Sequence, residues 1–206
     1  MSTTRDIETP HGPARAHVQA VAAPRAGLVL GHGAGGGVGA GDLVLAAQVA
    51  QELDVSVALV EQPYRVAGRR SPAPAPQLDA AWTAVVADLR ARELADVPVV
   101  TGGRSSGARV ACRTAAATGA AGVLCLAFPL QPARRRATGE QAPSRLPELE
   151  AVGVPVLVVQ GANDAFGVPP AAPGREVVVV EGDHALRKDR PRIAEAIRGW
   201  LQTLLA

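Results

Sequence analysis

Aromatic residues are scarce: two Trp, one Tyr and two Phe among 206 residues. So few rings leave no basis for the stacking platforms that hold single-stranded nucleic acid. They also leave the core to be built from Val, Leu and Ala, as in helix-covered parallel sheets. Cysteine is equally sparse. Cys112 and Cys125 match no metal-ligand spacing and are too few for a disulfide framework. Both lie in apolar stretches, where a free thiol behaves as a small buried hydrophobe.

Charge of one sign is also lacking. Lys plus Arg number 21 and Asp plus Glu 19, a net +2, which gives no general drive toward nucleic acid. The one dense basic run, Arg134–Arg135–Arg136, reads as a solvated loop. The first dozen residues hold no apolar segment of the secretory kind, and no apolar run approaches the roughly 20 residues of a membrane span. The cytoplasm is the expected location, with neither membrane nor nucleic acid as partner.

What is present is a globular composition, 48% hydrophobic and 19% charged. Its length suits one domain over residues 1–206. Short apolar runs at 27–31, 55–60, 97–101, 122–127, 154–160 and 176–180 are expected strands. Amphipathic segments at 43–53, 78–94, 106–118 and 190–205 are expected helices. Their alternation predicts an α/β fold with a doubly wound, mostly parallel sheet flanked by helices. Residues 6–8 and 14–21 can add an antiparallel hairpin at one edge. Segments 69–76 and 128–147 read as loops.

Gly103–Arg104–Ser105–Ser106–Gly107 follows an expected strand and precedes an Ala-rich helical stretch. This G-x-S-x-G pattern between strand and helix describes a nucleophile elbow, with a strained serine crowded by its neighbours. A serine hydroxyl needs a base. Of the four histidines, His184 alone follows the last strand and precedes the last helix, whereas His11 and His17 fall in the edge hairpin, expected to lie far from the strand-to-helix crossovers. Asp164, in the loop after the penultimate strand, is the expected orienting acid. Asp183 is its rival, but it neighbours His184 and should point elsewhere. The chain order Ser105, Asp164, His184 fits such a fold, and all three fall at carboxyl ends of strands.

The glycine-rich loop from Gly31 to Gly37 can bring backbone N–H groups against a carbonyl oxygen. Ser106 N–H and Ala34 N–H are the expected oxyanion donors, with Gly35 the alternative to Ala34. His32 is expected to fix this loop by hydrogen bonding. Gln62, Tyr64 and Arg104 are expected at the substrate. Arg65, Arg69 and Arg70 near the mouth would suit an anionic substrate, though surface solubility explains them as well.

Two other readings compete. Gly31, Gly33 and Gly36 also spell the dinucleotide-binding fingerprint, with Glu61 as the ribose-binding acid. That reading leaves the elbow, Asp164 and His184 unused. The second is a non-catalytic interaction module on a hydrolase scaffold, since fold does not fix function.

The segments LGHGAGGG, EQPYRVAGRRSPAP, GGRSSGARVA, FPLQP, VPVLVVQGANDAFG and EGDHAL spread over most of the chain. Together they resemble the dienelactone-hydrolase-like branch of the α/β-hydrolase superfamily, whose eukaryotic relatives include a chromatin-complex subunit. The resemblance implies an α/β-hydrolase fold and the triad Ser105, Asp164 and His184. Dienelactone hydrolases use a cysteine nucleophile where this chain has serine, so it does not imply dienelactone activity. Segment 128–147, where many relatives insert a cap domain, is too short for one. The expectation is an open serine hydrolase acting on an ester, thioester or related acyl bond of a small soluble molecule. No metal or organic cofactor is expected, and a homodimer is left open.

Overall fold

The computed structural model describes residues 2–132 and 142–206. The Arg134–Arg136 run lies outside the described residues.

Eight strands form one sheet in the order β1-β2-β4-β3-β5-β6-β7-β8. The strands are β1 (Ser2–Ile7), β2 (Ala14–Gln19), β3 (Ala26–Gly31), β4 (Val55–Glu61), β5 (Val99–Arg104), β6 (Gly122–Leu126), β7 (Val156–Gly161) and β8 (Arg175–Val180). β1 and β2 form the expected hairpin, and β2 lies antiparallel to β4. From β4 to β8 every pairing is parallel.

The central parallel strands are mostly apolar and buried, because both faces of the sheet are covered there. Leu28, Leu30, Val57, Leu59, Val100, Leu124, Leu126, Leu157 and Val159 point to one side. There they meet α1 (Gly41–Gln51) and α6 (Arg190–Leu204). The alternate residues Val29, Ala58, Val60, Val99, Val123 and Val158 face the other side. That face is covered by α3 (Ala75–Ala91) and α4 (Ser106–Thr118), with the single turn α5 (Leu146–Glu150) beside them. Trp82 of α3, 1% exposed, is the largest fully buried side chain.

Among the departures from expectation are two boundaries and one added element. β5 runs on to Arg104, because Gly102 and Gly103 are strand residues and not a turn. A Cβ on Gly102 would strike the Leu124 carbonyl, and one on Gly103 the Gly31 carbonyl. Those glycines let neighbouring strands and the following helix approach. α3 starts at Ala75, with Pro76 in its first turn, where a missing N–H costs nothing. A four-residue helix, α2 (Pro63–Val66), was not expected at all.

β6 leads through residues 127–132 into 142–145 and α5, and no cap domain is present among the described residues. Among them, too, no helix is long and apolar enough to cross a membrane.

Candidate active site

Ser105 follows β5 and occupies the N-cap position of α4 with φ +52° and ψ −108°. Few non-glycine residues adopt a positive φ, and the surrounding structure must enforce it. Ser105 N–H donates to the Leu126 carbonyl at 2.9 Å, which ties the elbow to β6. On the other side α4 presses against β3. A Cβ on Gly107 would lie 2.6 Å from the Gly31 carbonyl carbon and 2.9 Å from the His32 oxygen. Glycine at 107 is therefore required by close approach of two backbones.

The structure brings the three expected side chains together. His184 Nε2 lies 3.0 Å from Ser105 Oγ, and His184 Nδ1 lies 2.8 Å from Asp164 Oδ2. An ionised carboxylate can only accept, so Nδ1 carries the imidazole proton and Nε2 is left to accept from the serine hydroxyl. The Asp164 side chain is fully buried, and that of His184 is 23% exposed. Asp183 faces elsewhere, as expected, and accepts the Ala185 N–H at 2.9 Å.

Asp164 has further donors that the sequence did not advertise. The Phe166 N–H reaches Oδ1 at 2.9 Å, and Gln160 Nε2 reaches Oδ2 at 2.7 Å. Gln160 is wholly buried at the end of β7. The same amide nitrogen lies 3.1 Å from the Phe128 carbonyl and 2.9 Å from that of Gly167. The Phe166 ring meets the His184 imidazole at 4.6 Å, tilted by 62°. A glutamine ending an otherwise apolar strand was the one available signal. Nothing singled out Phe166.

The glycine-rich loop lies beside Ser105, since a Cβ on Gly33 would sit 3.6 Å from Ser105 Cβ. Gly36 N–H donates to the Gly33 carbonyl at 3.1 Å, which makes residues 33–36 a turn with Ala34 and Gly35 at its tip. Ser106 opens α4, where first-turn N–H groups have no intrahelical acceptor. His32 is buried and bonded within this loop, its Nδ1 2.8 Å from the Gly33 oxygen. Burial holds the His32 imidazole below its ordinary pKa.

The residues expected at the substrate lie beside the site, with their side chains engaged by internal partners. Arg104 folds inward: Nη2 donates to the His184 carbonyl at 2.9 Å, and Nε lies 2.9 Å from Asp42 Oδ2. The second contact is an ion pair without the alignment of a hydrogen bond. Desolvation pushes the Asp42 carboxyl up, against the pull of Arg104. Gln62 is 6% exposed, with its amide donating to the Leu78 carbonyl at 3.2 Å. Tyr64 is 3% exposed, with its hydroxyl on the Ala34 carbonyl at 2.9 Å. All three make internal contacts. Position in the chain placed them near the site, but side-chain direction, which burial decides, did not follow from it.

The hairpin histidines are closer to that region than expected. Because β2 pairs with β4, His17 Nε2 reaches Glu61 at 2.7 Å, which engages the acid of the dinucleotide reading. His11 lines a small cavity with Gln62 and Tyr64. Among the described residues no three His, Cys, Asp or Glu side chains converge as metal ligands would.

Comparison of the sequence with curated proteins gives no match. Solved structures do match over nearly the whole chain. A lidless α/β serine hydrolase from Xanthomonas campestris is 20% identical, with a TM-score of 0.77 over 98% of this chain and 94% of that one. Est1E from Butyrivibrio proteoclasticus is 15% identical, with a TM-score of 0.76 over 98% of both chains. A dienelactone hydrolase from Anabaena variabilis is 13% identical, with a TM-score of 0.74 over 98% of this chain and 97% of its own. At such identities the likeness is one of fold. Residues 24–192 match the profile of the alpha/beta hydrolase domain, and the chain belongs to that family.

Proposed function

We propose that the protein is a serine hydrolase that cleaves an ester, thioester or related acyl bond of a small soluble molecule. The observation that carries this reading is the hydrogen-bonded series Ser105 Oγ, His184 Nε2, His184 Nδ1, Asp164 Oδ2, with spacings of 3.0 and 2.8 Å. Names of structural neighbours, among them a serine hydrolase and an esterase, are compatible with it.

In this mechanism Ser105 Oγ attacks the acyl carbonyl while His184 Nε2 takes the hydroxyl proton. Asp164 holds the proton on Nδ1 and stabilises the imidazolium. The oxyanion is met by the N–H of Ser106 and that of Ala34 or Gly35, helped by the positive end of α4. His184 returns the proton to the leaving group. Water then attacks the acyl-serine with His184 again as base, and the bond to Ser105 Oγ breaks as His184 returns the proton to that oxygen, releasing the acid. Among the described residues no cap domain covers the site, and an open site suits a compact acyl group better than a long lipid tail.

Turnover of acetyl and butyryl nitrophenyl esters and the matching thioesters, by the wild type and by Ser105→Ala, tests the reading. Turnover by the wild type that falls to background in Ser105→Ala supports it. Equal rates in the two proteins, or none in either, would leave the hydrolase assignment without support.

A further inference from the structure

Two consecutive peptide units at the tip of the glycine-rich turn are held by side chains. In a trans peptide the carbonyl and the following N–H point in opposite directions, so fixing one aims the other. The Gly33 carbonyl accepts His32 Nδ1–H at 2.8 Å and Gly36 N–H at 3.1 Å. That fixes the direction of the Ala34 N–H. The Ala34 carbonyl accepts the Tyr64 hydroxyl at 2.9 Å, which fixes the Gly35 N–H in turn.

The holding groups are themselves fixed. His32 Nε2 accepts the Gln62 backbone N–H at 3.1 Å, so its proton sits on Nδ1, where the Gly33 carbonyl needs it. The His32 and Tyr64 rings pack edge to face at 5.8 Å and 61°. The topology explains why these residues meet. β3 and β4 are parallel neighbours, with Gly31 beside Val60, so the segments leaving them share one end of the sheet. Pro63 at the start of α2 then turns the chain so that Tyr64 lies against the turn. A segment as rich in glycine as residues 33–37 has little conformational preference of its own. The clamp supplies it.

We propose that Tyr64 and His32 are positioning residues for the oxyanion site, Tyr64 aiming the Gly35 N–H and His32 aiming the Ala34 N–H. The inference rests on the serine-hydrolase reading for its catalytic consequence, but not for the clamp itself. Neither residue touches the reacting atoms. Their effect is on whether the donors are in place when the negative charge develops.

Tyr64→Phe removes one oxygen and leaves the ring packing. Amide hydrogen exchange of residues 33–36 and steady-state turnover of an acetyl nitrophenyl ester are measured on the same two proteins. Exchange at Gly36, whose N–H is bonded to the Gly33 carbonyl, is expected to rise about tenfold as local opening of the turn becomes easier. Turnover is expected to fall about tenfold in kcat, short of the roughly 10²–10³-fold for deleting a donor. KM should stay within about twofold, because ground-state binding is untouched. His32→Ala should loosen Ala34 likewise, and His32→Asn, whose amide can occupy the Nδ1 position, should restore part of the loss.

Unchanged exchange in Tyr64→Phe overturns the clamp. Faster exchange with unchanged kcat in Tyr64→Phe overturns the assignment of the Gly35 amide to the oxyanion, and the same result in His32→Ala overturns that of Ala34. A rise in KM alone overturns it too, by making Tyr64 a substrate contact. If the wild type turns over no acyl substrate, the hydrolase reading fails, and the exchange data still decide the clamp.

Discussion

Gln160→Leu removes the buried amide behind Asp164 at nearly constant volume. Gln160 Nε2 donates to Asp164 Oδ2 at 2.7 Å, and a hydrogen bond to a charged group contributes about 1.5–3 kcal/mol. The Gly167 carbonyl, 2.9 Å from the same nitrogen, loses its donor, for about 1–3 kcal/mol. The Phe128 carbonyl keeps the Leu130 N–H at 2.9 Å and adds little. Against this, Gln160 Oε1 has no partner, and deleting that buried acceptor returns about 1 kcal/mol. The net expectation is a loss of about 2–4 kcal/mol. For a domain of this size that lowers Tm by about 5–15 °C. Urea unfolding with an unchanged m-value measures it directly. A Leu variant within about 0.5 kcal/mol of the parent would refute the reasoning, since Asp164 would then not depend on this donor.

Gly107→Ala sets a Cβ against backbone atoms of Gly31 and His32 that cannot rotate away, and is expected to cost about 3 kcal/mol. Gly199→Ala, in the interior of α6 with nothing within 4 Å of the added carbon, should instead stabilise by about 0.5–1 kcal/mol, and paired urea melts read both. Arg104→Ala deprives the buried Asp42 carboxylate of its cation and should cost about 2–3 kcal/mol at neutral pH, discounted from a fully buried pair because Arg104 is 19% exposed. Asp42 is already shifted upward and would shift further, so the deficit should be small at acid pH, where the group is protonated in both states. It should grow as pH rises past the unfolded carboxylate range, which melts of both proteins across pH can show.

The sheet and the three aligned side chains were legible because their signals are local and cumulative. Apolar runs marked β3 to β8, and Ser105, Asp164 and His184 each follow a run. Supports were not legible, because the direction of a side chain depends on what packs around it. Gln62 and Tyr64 follow a strand and Arg104 ends one, much as the aligned residues do, yet they turn inward to Leu78, Ala34 and Asp42. Glycine was ambiguous for the same reason. At 102 and 103 it resembled a turn and is strand, since what excludes a side chain there is the backbone of β6 and β3. Pro76 resembled a break and lies in the first turn of a helix.

The most direct test is covalent. Treated with a fluorophosphonate and digested, the folded protein should carry one phosphonyl adduct, on the Ser105 peptide, formed much more slowly in His184→Ala and absent from Ser105→Ala. Adduct formation on another residue, or none on the folded wild type, would contradict a nucleophile activated at the end of β5.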